Sequence, residues 1–198
     1  MNRTLEEIFV KFSRFSTLSA IVAANALCVA TSSAQQPGGA ESRTQAIVAS
    51  FNKSKHVVRE KRGVRKEKYL DVRSVPALRQ SPADYSGEYE AQGLGFSLRL
   101  RADRSGKVEG SGYEPLNEDA TTSRTFTLSN GRIAGALITA TKVYGDGSSR
   151  PLEGVFIDKT TFESPTDKGV TTFGLGVVGT GIRVNGLDLG RVFYQLKQ

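Results

Sequence analysis

The chain has 198 residues, and its 27 Lys and Arg against 20 Asp and Glu give a formal net charge of +7. It contains one Cys, one His and no Trp. A single Cys excludes an internal disulfide and a cysteine-based zinc site, and a single His excludes a histidine cluster. Hydrophobic residues make up 38% of the chain, which is enough for a buried core, so we expect a folded protein.

The first 34 residues have the order of segments that is typical of a secretory signal peptide. A basic start precedes an apolar run over residues 18–31, and Ser32 and Ala34 place small side chains at a cleavage site. The run is shorter than the roughly 20 residues that span a bilayer. We therefore expect cleavage after Ala34 and export to the periplasm or the extracellular space. A transmembrane helix, a lipid anchor at Cys28 and a mitochondrial transit peptide are the alternatives.

The basic charge is concentrated between residues 53 and 79, which hold ten Lys and Arg and three Asp and Glu. Such a segment is expected to dock on an anionic lipid or envelope surface. Nucleic acid is not the expected partner, because an exported protein rarely meets it and few aromatic side chains here can stack on bases. A solvated segment that packs on the rest of the protein is the alternative. The predicted contacts to an anionic surface are Lys53, Lys55, Arg59, Arg62, Arg65, Lys66 and Lys68.

The basic segment is predicted to be largely helical. Ile47, Phe51 and Val58 fall on one side of a helix at 100° per residue, and this spacing predicts a helix over about residues 43–62. The period of the residues that follow is ambiguous between helix and extended chain. We therefore predict that residues 35–82 form a linker and a basic helical arm.

From Tyr85 onward the pattern changes to short runs in which apolar and polar residues alternate. Turn signals rich in Gly, Asn and Asp separate these runs at intervals of about 8–12 residues, which predicts eight to ten antiparallel strands. Glycines within the runs indicate bends, which favour a closed barrel over a sandwich. The sequence thus predicts a mainly β protein with a single antiparallel barrel over residues 83–198, preceded by the arm.

The repeated short strands after Tyr85-Ser86-Gly87-Glu88-Tyr89 resemble the architecture of calycin barrels, which include the lipocalins. The resemblance is one of architecture, because the Gly-x-Trp opening of lipocalins is absent from a chain without Trp. A barrel of about eight strands is either filled by its side chains or holds one small ligand. The predicted lining of an apolar ligand site inside the barrel is Phe96, Leu98, Phe126, Leu137, Phe156 and Phe173.

No motif in the sequence indicates catalysis, a cofactor or a bound metal. The glycines at 174, 176 and 179 match a dinucleotide-binding spacing, but a turn and strand pattern follows them instead of the helix that a pyrophosphate needs. His56 stands among cations that oppose its protonation, with no sign of an orienting partner. Glu114, Glu118 and Asp119 cluster in the sequence, but their spacing matches no calcium loop.

The sequence therefore predicts an exported, non-enzymatic binding protein. It would hold a small apolar or amphipathic molecule inside the barrel, or dock on an anionic envelope surface through its basic arm. Two alternatives remain, namely a structural or interaction protein with a filled barrel, and a hydrolase that uses carboxylates at the barrel mouth.

Overall fold

The computed structural model describes residues 37–61, 64–116, 122–184 and 187–197. The predicted signal peptide, residues 1–34, lies outside the described residues. One helix, one short 3-10 helix and twelve strands occupy these ranges. They are α1 (Pro37–Ser50), β1 (Lys53–Lys61), β2 (Val64–Pro76), the 3-10 helix (Pro82–Tyr85), β3 (Gly87–Ala91), β4 (Phe96–Ala102), β5 (Lys107–Pro115), β6 (Ser123–Ala134), β7 (Leu137–Tyr144), β8 (Ser149–Phe162), β9 (Val170–Val178), β10 (Arg183–Val184), β11 (Leu187–Asp188) and β12 (Arg191–Leu196).

Eight antiparallel strands close into a barrel within the described ranges. Strands β3 to β9 follow one another around the wall, and β12 fills the place between β9 and β3. The β8–β9 pairing closes the wall. Each pair is antiparallel, so short turns suffice to connect neighbours and no crossover helix is needed. The predicted mainly β fold with a closed antiparallel barrel is confirmed.

Alternation along the strands determines which side chains enter the barrel. In β4, Phe96, Leu98 and Leu100 are buried, while Ser97 and Arg99 between them point outward. This period of two is the one that the sequence pattern predicted for the segment. Burial of these apolar side chains is the main favourable contribution to the barrel's stability.

A β-hairpin replaces the predicted basic helix. Strands β1 and β2 pair antiparallel in continuous register from Lys53 with Val72 to Lys61 with Val64. The predicted helix over residues 43–62 is therefore wrong from residue 53 onward. The segment alternates in charge and polarity and contains several β-branched residues, which favour a strand, whereas the helical spacing rested on three apolar side chains.

The helix that does form, α1, packs on the outside of the barrel. Ile47 and Val48 are buried, and Phe51 immediately after the helix lies over Gly176 in β9. A Cβ at Gly176 would lie 2.6 Å from the Phe51 ring, so the glycine makes room for this contact. Arg43 also forms an ion pair with Glu153 at 2.6 Å. The helix thus covers an apolar strip of the outer wall. The concentration of basic residues lies in the hairpin that follows the helix.

One end of the barrel is closed by aromatic side chains. Tyr85 stacks on Phe156 with ring centroids 4.1 Å apart, and its hydroxyl donates to the carbonyl of Ala77 at 2.8 Å. The Tyr89 hydroxyl donates to the carbonyl of Tyr85 at 2.6 Å. Because β2 leaves the barrel at this same end, these aromatic side chains also hold the base of the hairpin.

Candidate functional site

The hairpin extends beyond the barrel as a two-stranded ribbon. Strand β2 pairs with β8 only from Asp71 to Pro76, and β1 is the last strand of its sheet. The residues from Lys53 to Glu60 and from Arg65 to Leu70 are mostly exposed. At about 3.3 Å per residue, the strand from Lys53 to Glu60 spans roughly 26 Å. Both faces of the ribbon are therefore open to a partner.

Strand alternation sorts the charges of the hairpin by sign. The pairs Lys55 with Leu70 and Arg59 with Lys66 lie on one face, together with every second residue along each strand. No acidic residue falls on this face among the residues whose side chains the structure describes. We call it the cationic face, and its described cations are Lys53, Lys55, Arg59, Lys66 and Lys68.

The opposite face, which we call the mixed face, carries the acids of the hairpin. Its acidic and basic residues are His56, Glu60, Arg65, Glu67, Asp71 and Arg73. Glu67 pairs with the ring of His56 and lies 3.8 Å from Arg65. Asp71 accepts a bond from Arg73 at 2.9 Å. The charges on this face are therefore largely compensated within the hairpin itself.

The predicted surface-binding residues are thus divided by the structure. Five of the seven form the cationic face, while Arg65 lies on the mixed face. Arg62 lies outside the described residues. The division was readable from the sequence, because the basic residues of β1 occupy every second position and the acids occupy the positions between.

The cationic face has a local arrangement that opposes its own stability. Arg59 lies directly across from Lys66, and like charges in this position destabilise a strand pair. Throughout the described ranges, no acidic side chain forms an ion pair with any member of the cationic face. Conflicts of this kind are expected where a surface serves a binding function.

Apolar side chains lie between the cations on the same face. Val57 is opposite Lys68 and Leu70 is opposite Lys55, and both apolar residues are only partly exposed. The long aliphatic stems of lysine can pack along such residues while the ammonium groups stay in water. The face therefore combines positive charge with a narrow apolar strip.

The predicted interior residues are placed by the strand register. Phe126 lies against Tyr144 with ring centroids 6.1 Å apart, and Phe156 stacks on Phe173 at 6.2 Å, all on the inner face. Phe96 and Leu98 are fully buried beside them.

Leu137 does not share this inner face. It pairs with Val155, whose other partner is Gly176, and Phe51 covers that strip from outside. Leu137 therefore lies on the outer wall beneath the helix segment, which corrects its expected position.

Large side chains from several strands meet inside the described part of the barrel. Tyr89, Phe96, Phe156, Leu175 and Tyr194 come from five different strands, and each is 0% exposed. Phe96 meets Tyr194 edge to face, and Tyr89 meets Phe156, with centroids about 6 Å apart in both pairs.

A charged cluster is buried inside the barrel near the end opposite the hairpin. Glu114 is 0% exposed and accepts bonds from Lys142 at 2.7 Å, from Arg124 at 2.8 Å and from the Tyr144 hydroxyl at 2.7 Å. Arg124 stacks over the Tyr144 ring at 4.0 Å, and Lys142 lies 4.8 Å from the Phe126 ring centroid. Both oxygens of this carboxylate therefore accept hydrogen bonds from donors of the chain.

The pKa shifts of this cluster follow from burial and from opposite charges. Burial alone would raise the pKa of Glu114, but the charge of Lys142 and the three hydrogen bonds together lower it. Burial lowers the pKa of Lys142, because Glu114 offsets only part of the cost of a charge in the interior. The pKa of Tyr144 is raised by burial and by the neighbouring carboxylate.

This arrangement does not resemble a catalytic or metal site. Glu114 is held by cations of the protein, and Glu118 and Asp119 lie outside the described residues. Across the described ranges, no group of three or more His, Cys, Asp or Glu side chains is placed to hold a metal ion. His56 is exposed on the hairpin, and its ring pairs with Glu67, a partner that the sequence did not indicate.

Comparison with known proteins gives no relatives for this chain. Neither a protein-family model, nor a curated protein, nor a solved structure matches it. Among the helices of the described residues, none has the length and hydrophobicity that a membrane crossing requires. The interpretation of function therefore rests on the geometry of the chain itself.

Proposed function

We propose that this protein is exported and docks on an anionic lipid surface through the cationic face of its hairpin. The observation that carries the proposal is the sorting of charge. Five exposed cations lie on one face without an acid, and the acids of the hairpin lie on the other, where Glu67 and Asp71 form ion pairs. A segment whose charges served only solubility would not need this segregation.

An anionic bilayer fits the shape and composition of the cationic face. Each basic residue near such a surface contributes about 1 kcal/mol, so five of them supply roughly 5 kcal/mol. Val57 and Leu70 add apolar contact at the depth of the head groups. A ribbon about 26 Å long can lie along a plane while the barrel remains in water.

The interior of the barrel gives less support to the other predicted activity, binding of an apolar ligand. Large side chains from five strands occupy the described interior at full burial. We therefore assign the barrel the role of a rigid body that presents the hairpin. Docking through the hairpin does not require a cavity in the barrel, so it is compatible with a barrel whose interior is occupied by side chains.

Vesicle sedimentation with two matched double variants tests the docking proposal. K66Q/K68Q removes two charges from the cationic face, and R65Q/R73Q removes two from the mixed face of the same strand. On vesicles of phosphatidylglycerol and phosphatidylcholine we expect K66Q/K68Q to bind about 30-fold more weakly, from about 1 kcal/mol per charge. R65Q/R73Q should change binding by less than about threefold, since each of these arginines faces an acid.

A shortened hairpin provides a second test that leaves the barrel contacts intact. Lys55 and Leu70 already face each other, so residues 56–69 can be replaced by an Asn-Gly turn. This variant should lose salt-sensitive binding to anionic vesicles. Equal losses in both double variants, or unchanged binding by the shortened chain, would contradict the proposal, as would tighter binding to duplex DNA than to vesicles at equal salt.

A further inference from the structure

A shallow groove lies on the outer wall of the barrel, across strands β4 to β7. Its volume is about 550 Å³, which is within the range of small-molecule sites. The strand register brings its central side chains together. Ser111 lies beside Thr127, and Tyr113 lies between Ser97 and Thr125. We call these five residues the hydroxyl floor of the groove.

The hydroxyl floor has unused hydrogen-bonding capacity. Within the described part of the chain, none of its five hydroxyl groups has a hydrogen-bond partner in the protein. Elsewhere on the outer wall, Thr160 and Thr171 face each other and form a hydrogen bond of 2.8 Å. The hydroxyls of the floor are thus near one another and free to bond outward.

The rim of the groove adds two further types of contact. The Tyr113 ring is 40% exposed and offers a flat apolar surface with a polar tip. Arg99 and Glu88 form an ion pair on the other side, and together they present forked donors and forked acceptors. Val143 contributes an apolar patch at the edge of the same groove.

This combination excludes several classes of ligand. An apolar ligand would leave five hydroxyls without partners, which is unfavourable. A nucleotide phosphate would meet Arg99 as the cation of the lining, and Glu88 already neutralises it. A peptide strand could not add to these strands, because β4 to β7 are paired on both sides.

A neutral oligosaccharide satisfies all of these contacts. Its hydroxyls both donate and accept, as do those of Ser and Thr. The C–H face of a pyranose ring can pack on the Tyr113 ring. We propose that the groove between β4 and β7 is a binding site for neutral oligosaccharides. This proposal is independent of the hairpin, which lies at one end of the barrel and uses charge.

Titration with four soluble hexasaccharides tests the site. We would add maltohexaose, cellohexaose, laminarihexaose and chitohexaose separately to the full chain and follow backbone amide shifts by NMR. At least one should bind with a Kd of about 1 mM or tighter and shift amides of β4 to β7. Y113A should weaken that binding at least tenfold, and T127V, which keeps shape and removes one hydroxyl, about threefold to tenfold.

A matched variant outside the groove controls for general effects. Thr139 also lies on the outer wall, in β7, so T139V makes the same chemical change without touching the hydroxyl floor. It should leave binding unchanged, and all variants should retain the melting temperature of the wild type within a few degrees. The proposal is overturned if none of the four hexasaccharides binds at about 10 mM, or if T139V weakens binding as much as T127V.

Discussion

Replacing Glu114 by Gln is expected to lower the free energy of unfolding by about 3–5 kcal/mol. Glu114 is fully buried and is the carboxylate on which both Lys142 and Arg124 converge. Gln keeps the shape of the side chain but removes its charge. Lys142 and Arg124 would then lie beside each other without a counter-charge. Removing one partner of a buried ion pair is strongly destabilising because it leaves an uncompensated charge in the interior.

Removal of Lys142 should cost much less than removal of the carboxylate. In Lys142→Met, Glu114 still accepts bonds from Arg124 and from the Tyr144 hydroxyl. The lowered pKa of Lys142 shows that burial already disfavours its charge, so an apolar side chain of similar length recovers part of the loss. We expect E114Q to be less stable than K142M by about 2 kcal/mol or more.

Urea denaturation followed by circular dichroism measures both variants at pH 7. The slope of the free energy against urea should stay the same, so that the midpoint reports stability alone. Equal stabilities for E114Q and K142M would contradict the assigned geometry. A wild-type level of stability in E114Q would show that the carboxylate is not buried among these cations.

The same cluster predicts how stability depends on acid. The pKa of Glu114 is lowered in the folded state relative to its ordinary value of 4.5. Its ionised form therefore contributes stability above the unfolded pKa, and this contribution is lost as the pH falls through the folded pKa. In urea midpoints measured from pH 7 down to about pH 3, the wild type should lose stability more steeply than E114Q below pH 4.5. Parallel curves would contradict this interpretation.

Gly112→Ala is the second substitution with a large expected effect, at about 3 kcal/mol or more. A Cβ at Gly112 would lie 2.2 Å from the carbonyl oxygen of Ser97 and 2.7 Å from the Phe126 ring. The first neighbour is backbone of the paired strand, which cannot turn away as a flexible side chain can. The ring is itself fixed against Tyr144 inside the barrel.

Gly145→Ala is the matched control for this prediction. A Cβ there would have no atom within 4 Å, so its effect should be within about 0.5 kcal/mol. Thermal unfolding of both variants measures the difference. If Gly112→Ala were as stable as Gly145→Ala, the interior beside β5 would have free space, and an apolar ligand inside the barrel would regain support.

The alternation of apolar and polar residues was sufficient to predict the barrel. Phe96, Leu98 and Leu100 enter the interior as their spacing predicted, because a strand can bury only every second residue. Leu137 shows the limit of this reasoning. Its neighbour Ile138 is equally apolar, and only pairing with β8 decides which of the two points inward.

The hairpin was misassigned for a related physical reason. The helical spacing of Ile47, Phe51 and Val58 crosses the boundary between α1 and β1, where Val58 is 47% exposed. The cations Lys53, Lys55 and Arg59 fall on odd-numbered positions only, which is the period of two that a strand requires. Apolar periodicity alone is a weak guide where most side chains are exposed.

The candidate sites differ in how far they could be predicted from the sequence alone. The cationic face follows from residues near one another in the chain, and it was visible once the strand period was recognised. The outer groove joins Ser97, Ser111 and Thr127 from three strands, and each hydroxyl by itself is an ordinary outward strand residue. The cluster around Glu114 joins residues separated by as many as 30 positions.

The sequence by itself determined the fold class, the location of the basic charge and the absence of cysteine- or histidine-cluster chemistry. These depend on composition and on short-range periodicity, which can be counted in the sequence without knowledge of the tertiary structure. Only the tertiary structure decided that large side chains from five strands meet in the interior, that Glu114 meets Lys142, and that five hydroxyls share one groove. These depend on strand register and barrel closure, which bring distant residues together through the packing of the whole core.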